Sequence, residues 1–114
     1  MLCGQDFSAW HRIKSDELWH YYSGDELLIY VIDETSKLNI FKLGNPLLHE
    51  NAEFQVIVKA NTWFSAELNK GDYCLVGCTV SPGFDFNDFE MAKEENLLKI
   101  YPEHHDIIKK LCKK

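Results

Sequence analysis

Residues 11–24, HRIKSDELWHYYSG, bring two histidines, the adjacent acids Asp16 and Glu17, and three aromatics into one short stretch. Nowhere else in the chain are residues able to do chemistry so dense. An imidazole titrates near neutral pH, and a carboxylate beside it moves that titration, so the pair is equipped to transfer a proton or to ligate a divalent metal ion. Which of these is open to it depends on which side chains share a face. Successive side chains of an extended chain point to opposite faces. Read as a strand over residues 7–13, the chain sends Phe7, Ala9, His11 and Ile13 one way and Ser8, Trp10 and Arg12 the other. In the next strand Glu17, Trp19 and Tyr21 share one face, and Leu18, His20 and Tyr22 the other. Lys14, Ser15 and Asp16 between them have the turn-forming chemistry of a hairpin connection. The alternation predicts that His11 and Glu17 point into one enclosed space, with Trp19 and Trp63 also on its floor.

Further strands are needed to enclose that space. Residues 26–32 are continuously apolar and β-branched, as in a strand buried on both faces, whereas residues 38–43 alternate as a half-exposed strand does. Gly44, Asn45 and Pro46 end it, because proline lacks the donor that a central ladder needs. A longer connection over residues 47–53 precedes strands over 54–58, 62–68 and 73–80, with a hairpin turn at 69–72 and a break at Ser81, Pro82 and Gly83. Many short strands separated by turn signals predict an all-β sandwich or barrel. Only the end reads as helix: two turns over 92–99, then a helix opened by Pro102 that carries Ile107, Ile108 and Leu111 on one stripe.

The 114 residues suit one domain, 1–114, with barrel strands over about 7–90 and a C-terminal helical segment over 91–114. A net charge of -6 repels phosphate backbones and argues against nucleic acid. Lys109, Lys110, Lys113 and Lys114 are placed to complement the dipole at a helix end. The longest apolar run, residues 27–32, falls far short of the ~20 residues that cross a bilayer, and no signal-peptide pattern opens the chain. Of the four cysteines, Cys74 and Cys78 lie about 13 Å apart along one strand, beyond disulfide reach, and read as small buried apolar residues. Cys3 and Cys112 do not complete a zinc site. A reducing, cytoplasmic setting is expected.

The order His11, x, Ile13, three residues, Glu17, six residues, Gly24 resembles the first signature of the cupin superfamily, with Ile13 where a second histidine stands. The longer segments FSAWHRIKSDELWHYYSGD, LVGCTVSPGFDFNDFE and YPEH resemble a small single-domain cupin family and cover most of the chain. The resemblance implies a cupin-type double-stranded β-helix, that is, a jelly-roll barrel, with a short C-terminal helical segment and a small-molecule pocket. Family members carry further strand-forming sequence before the FSAWHR segment, where six residues stand here. An open sheet edge and hence a homodimer are expected.

The resemblance also frames the chemistry. Sugar-nucleotide epimerases of the rhamnose pathway, similar in fold, pair a histidine base with a tyrosine acid. That implies proton transfer beside a carbonyl, with His11 and Glu17 as candidate catalytic residues and His20 and Tyr21 as further candidates. Tyr21, Tyr30 or Tyr73 would supply the acid. Trp19, Trp63, Tyr30 and Tyr73 are candidate ligand-binding residues, suited to a sugar or another small organic molecule, and that role requires no turnover. A purely structural role, with His11 bonded to Glu17 or to backbone, is the third reading. Metal-binding cupins generally take three histidines and a glutamate. His11 and Glu17 stand at matching positions, Ile13 cannot ligate, and the second signature over residues 59–64 puts Phe64 where the last histidine belongs. No metal cofactor is favoured; if one binds, His11, Glu17 and His20 are its set, His20 only with the help of a bulge.

Three other features read plainly. Asp85, Asn87, Asp88 and Glu90 lack the spacing and glycine of a calcium loop. Phe84, Phe86 and Phe89 are expected to plug one end of the barrel. His104 and His105 point about 100° apart on a helix, which suits cap and surface roles.

Overall fold

In the computed structural model, described for residues 2–3, 7–33, 35–48, 50–68, 72–81 and 90–111, the strands are β1 (Leu2–Cys3), β2 (Phe7–Arg12), β3 (Asp16–Gly24), β4 (Leu27–Ile32), β5 (Leu38–Leu43), β6 (Ala52–Glu53), β7 (Gln55–Val58), β8 (Trp63–Leu68), β9 (Tyr73–Ser81) and β10 (Glu90–Met91). Helix α1 (Glu94–Ile100), a 3-10 turn (Pro102–His104) and helix α2 (His105–Lys110) follow. One sheet has the order β1-β9-β3-β7 and the other β10-β2-β8-β4-β5-β6. The pairings are antiparallel except for β5 with β6. Two facing sheets with a helical tail make the expected all-β jelly roll. No helix among the described residues is long and apolar enough to cross a membrane.

Strand β4 shows why its sequence is apolar throughout. Leu27, Ile29 and Val31 join the core between the sheets, with Trp19, Val58 and Phe64. Tyr30 and Ile32, on the other face, join a second core with Trp10, Leu97, Ile108 and Leu111, roofed by the C-terminal helices. A strand with a sheet on one side and helices on the other has no wet face, so alternation disappears. Trp10 fixes that roof. Its indole N–H donates to the Ile107 carbonyl at 3.3 Å and its backbone N–H to the Leu111 carbonyl at 3.1 Å. His104 stands at the N-cap of α2 but makes no cap bond with its side chain, which is a tether: its Nε2 bonds the Ser36 carbonyl at 2.7 Å across to the turn before β5.

The connection between β2 and β3 is not a hairpin. β2 pairs with β8 and β10, while β3 pairs with β7 and β9, so residues 13–15 carry the chain from one sheet to the other. The corner is held by a neighbouring turn. The Asn61 N–H donates to the Ile13 carbonyl and the Ala60 N–H to the Asp16 carboxylate, each at 2.8 Å. At the other end of β3, Gly24 has φ +99°, and a Cβ there would stand 2.5 Å from the Tyr73 carbonyl oxygen. That oxygen accepts the Asp25 N–H at 2.7 Å. The glycine of the motif therefore serves close backbone approach, with no part in chemistry.

Two short strands, β1 and β10, have no counterpart in the sequence reading, and the connection read over 47–53 ends in β6. Residues 69–71 of the 69–72 turn, the break at Pro82 and Gly83, the rings Phe84, Phe86 and Phe89, the polar residues Asp85, Asn87 and Asp88, and Cys112, Lys113 and Lys114 lie outside the described residues.

Candidate functional site

The inward turn of His11 depends on a β-bulge. Ser8 stands opposite Ala66 but His11 opposite Phe64, three steps on β2 against two on β8. The extra residue resets the phase of the strand. Strict alternation across residues 7–13 is broken there. From Trp10 on, the alternation holds: Trp10 is fully buried under the helices, and His11 lies on the inner side with its ring centroid 4.2 Å from that of Phe64. Within the bulge, His11 Nδ1 donates to the Ala9 carbonyl at 2.7 Å. A carbonyl can only accept, so Nδ1 carries the proton and Nε2 of the neutral ring holds the lone pair. Burial lowers the proton affinity of His11, against the pull of the Ala9 bond.

Glu17 lies on the facing sheet, opposite Val58 of β7 and Val80 of β9, and is 9% exposed. Desolvation raises its pKa, and a hydrogen bond with Cys78 works the other way. Cys78 is at the open end of β9, exposed as a residue but with its thiol turned to Glu17. Desolvation first, then the Glu17 charge and hydrogen bond, push the thiol up to about 12. Two residues along β3 from Glu17, Trp19 meets Phe64 edge-on at 6.3 Å. His11, Phe64 and Trp19 thus form a row of rings joining the sheets. The Trp19 indole N–H is buried and has no hydrogen-bond partner among the described residues.

His11, Glu17 and Trp19 are the predicted residues brought to the inner walls. The others are elsewhere. Trp63 is on the outer face of its sheet, in the core beneath the helices, with the Arg12 guanidinium 4.6 Å over its ring. It is no part of the floor expected with Trp19. Tyr30 is on that same outer side; its hydroxyl donates to Glu67 at 2.7 Å, and Glu67 in turn pairs with Lys110 at 3.1 Å. Burial and then the Glu67 bond hold the Tyr30 proton well above the usual range. Tyr21 packs against the inner core but donates its hydroxyl to the Gly24 carbonyl, at the far end of β3 from Glu17. Tyr73 is 40% exposed beside Gly24. His20 is on the outer face, where Nε2 donates to Thr79 Oγ1 at 2.9 Å, Nδ1 accepts from Gln55 at 3.3 Å, and the ring stacks near Tyr22. No bulge turns it inward, since β3 pairs regularly from Asp16 to Tyr21. Phe64 and Cys78 are the site residues that sequence reasoning missed. Phe64 drew notice only as a ring in a ligand's place, and Cys78 read as buried like Cys74. The signal for Cys78 was its parity with Trp19, its partner across the ladder.

Comparison with known proteins agrees with this architecture. The family described as "Cupin superfamily (DUF985)" matches residues 1–92. The chain belongs to the cupin superfamily. Among solved structures, this cupin superposes on a protein of Shewanella oneidensis with TM-score 0.88 at 37% identity, covering 94% of this chain and 67% of that one. It superposes on a hypothetical protein of Leishmania major with TM-score 0.89 at 29% identity, covering 99% and 73%. Oxalate decarboxylase of Bacillus subtilis, at 12% identity and TM-score 0.62 over 96% of this chain and 28% of that one, shares the fold alone. A search of the curated proteins found no match.

Among the described residues, the inner wall of this cupin offers a metal ion few ligands. His11 and Glu17 offer one nitrogen and one carboxylate, Ile13 is hydrocarbon, and the Phe64 ring lies against the imidazole where a third ligand belongs. His20 is on the other side of its sheet, tied to Thr79 and Gln55. Among the described residues, no group of three or more His, Cys, Asp or Glu is gathered closely enough to hold a metal. Asp85, Asn87 and Asp88 lie outside those residues.

Proposed function

We propose that this cupin binds a small carbonyl compound, sugar-like in polarity, at the barrel mouth between His11 and Glu17, and transfers a proton at the carbon beside the carbonyl. His11 Nε2 takes the proton from carbon while Glu17 gives one to the carbonyl oxygen; His11 then returns a proton to carbon as Glu17 takes a hydroxyl proton back, which restores both groups and completes an isomerase or epimerase step. The carrying observation is the inward His11, its tautomer set by the Ala9 carbonyl, facing a sheet whose buried carboxyl has a raised hold on its proton. The acid role is given to Glu17 because the Tyr21 and Tyr30 hydroxyls are bonded elsewhere and Tyr73 stands beside Gly24, at the far end of β3 from Glu17.

Incubation with aldoses, ketoses and 2-oxo acids in deuterium oxide tests this by proton NMR. One class of compound is expected to lose its signal beside the carbonyl, and His11→Gln and Glu17→Gln each to slow that loss by about 100-fold or more. Exchange that persists unchanged in both variants, or that no compound shows, ends the catalytic reading. Binding without turnover is the second reading, supported by the Trp19 N–H, a buried donor that a ligand oxygen would satisfy. Its mark is a rise in melting temperature with a compound that undergoes no exchange.

The same proposal takes in a homodimer and a reducing, cytoplasmic setting. The dimer is supported by large apolar side chains exposed at Leu47, Leu48, Phe54 and Ile57, in the chain that leads into and forms the edge strand β7. Free thiols at Cys74 and Cys78 support the setting.

A further inference from the structure

Glu17 stands in a place with little to hold it. Directly across the ladders of β3 are Val58 of β7 and Val80 of β9, and neither side chain carries a polar atom. Two residues along, the Trp19 indole N–H makes no bond among the described residues. Cys78 is different. It is paired with Trp19, which puts it one step diagonally from Glu17 on the same face, and side chains on such a diagonal of an antiparallel pair can touch. Its thiol is hydrogen-bonded to the Glu17 carboxyl. Of the other titratable side chains on the inner side of the described residues, Tyr21 and Cys74 belong to the Gly24 end of the sheet and His11 to the facing sheet.

The direction of that bond follows from the chemistry of the two groups. A carboxylate can only accept, and burial, then the Glu17 charge and bond, push the thiol up to about 12, so the thiol keeps its proton and donates it. The oxygen that accepts the S–H is thereby occupied, and the carboxyl proton belongs to the other oxygen. The charge that appears on Glu17 when its proton leaves meets a donor already in position, between valine side chains that offer none. A thiol is a weak donor, so it steadies the ion without stripping the acid of its proton: desolvation raises the Glu17 pKa, and the thiol only works against it. We propose that Cys78 is the positioning residue of Glu17, fixing which carboxyl oxygen carries the proton and stabilising the carboxylate left behind. The hold on Glu17 stands on the ladder geometry, and its consequence for turnover rests on the proton transfer proposed for His11 and Glu17.

Infrared difference spectra, each protein minus its own Glu17→Gln counterpart, isolate the Glu17 carboxyl stretch and titrate it without any substrate. Cys78→Ala is expected to move that titration to higher pH, because the bond that favours the carboxylate is gone. Cys78→Ser is expected to move it to lower pH, because a hydroxyl donates more strongly than a thiol. Cys78 is exposed, so both variants are expected to melt close to the parent protein. On a compound that exchanges its proton, Cys78→Ala is expected to lower kcat about tenfold with KM unchanged, and Cys78→Ser to recover most of that loss. A Glu17 titration that Cys78→Ala leaves in place or moves to lower pH overturns the proposal. So does a kcat that Cys78→Ala leaves unchanged, or a loss that Cys78→Ser does not recover. A titration that moves as expected in a protein that exchanges no compound would end the catalytic reading of His11 and Glu17 and uphold the thiol's hold on the carboxyl.

Discussion

His11 and Glu17 are displaced in opposite senses by one cause, removal from water. Burial disfavours whichever form is charged, so the imidazole loses proton affinity and the carboxyl gains it. The two linkages with stability have opposite signs. The folded His11 pKa lies below 6.5, so its contribution is present above that value and is lost as pH falls through the folded pKa. The folded Glu17 pKa lies above 4.5, so its contribution is complete below that value and is lost as pH rises through the folded pKa. His11→Gln is therefore expected to flatten the decline in melting temperature on the acid side of pH 6.5. Glu17→Gln is expected to gain on the parent protein as pH rises above 4.5. Melting curves from about pH 4 to about pH 8 check both. Curves that stay parallel to the parent across this range would mean the two groups face water. At this scale residue type and parity placed both side chains inward, and the structure has them there. The sequence was a poor guide to their neighbours: Trp63 has the opposite parity to Phe64 on β8, and only the observed pairing of β8 shows that the Phe64 face is the inner one.

The strand β2 works on both of its faces, and the bulge makes that possible. One extra residue lets Trp10 anchor the helical roof while His11 enters the barrel. Trp10→Ala is expected to cost about 3–5 kcal/mol, because a fully buried ring that helices cannot close over leaves a cavity. Trp10→Phe is expected to cost less, losing the bond to Ile107 but keeping most of the packing. Urea unfolding followed by circular dichroism measures both; an alanine variant as stable as the parent would show that α2 is not held by this residue. The extents of β4, β5 and β8 were legible because apolar pattern and turn residues are local. The bulge and the crossing at residues 13–15 were not. A bulge is defined by its partner strand, and a short polar turn reads the same whether the chain folds back on its own sheet or steps to the opposite one.

As a whole, the molecule leaves apolar surface uncovered. Leu47, Leu48, Phe54 and Ile57 are each more than half exposed or close to it, in the chain that leads into and forms the edge strand β7. A second copy covering this region is the expected outcome: light scattering should give twice the 13.3 kDa chain mass, and Leu47→Lys with Ile57→Lys should return it to one. A parent protein that stays at the single-chain mass at high concentration would refute the dimer.

The sequence by itself determined the all-β class, the helical end, a strand with no wet face and the inward placement of one imidazole and one carboxyl. These follow from hydrophobic period and side-chain type, which act over a few residues. The tertiary structure decided what those groups meet. It set His11 on Phe64, drew Cys78 to Glu17, sent Trp63 and Tyr30 beneath the helices and left Tyr21 at the far end of its strand. Such outcomes depend on which distant strands pair and in what register, and no short stretch of chain carries that information.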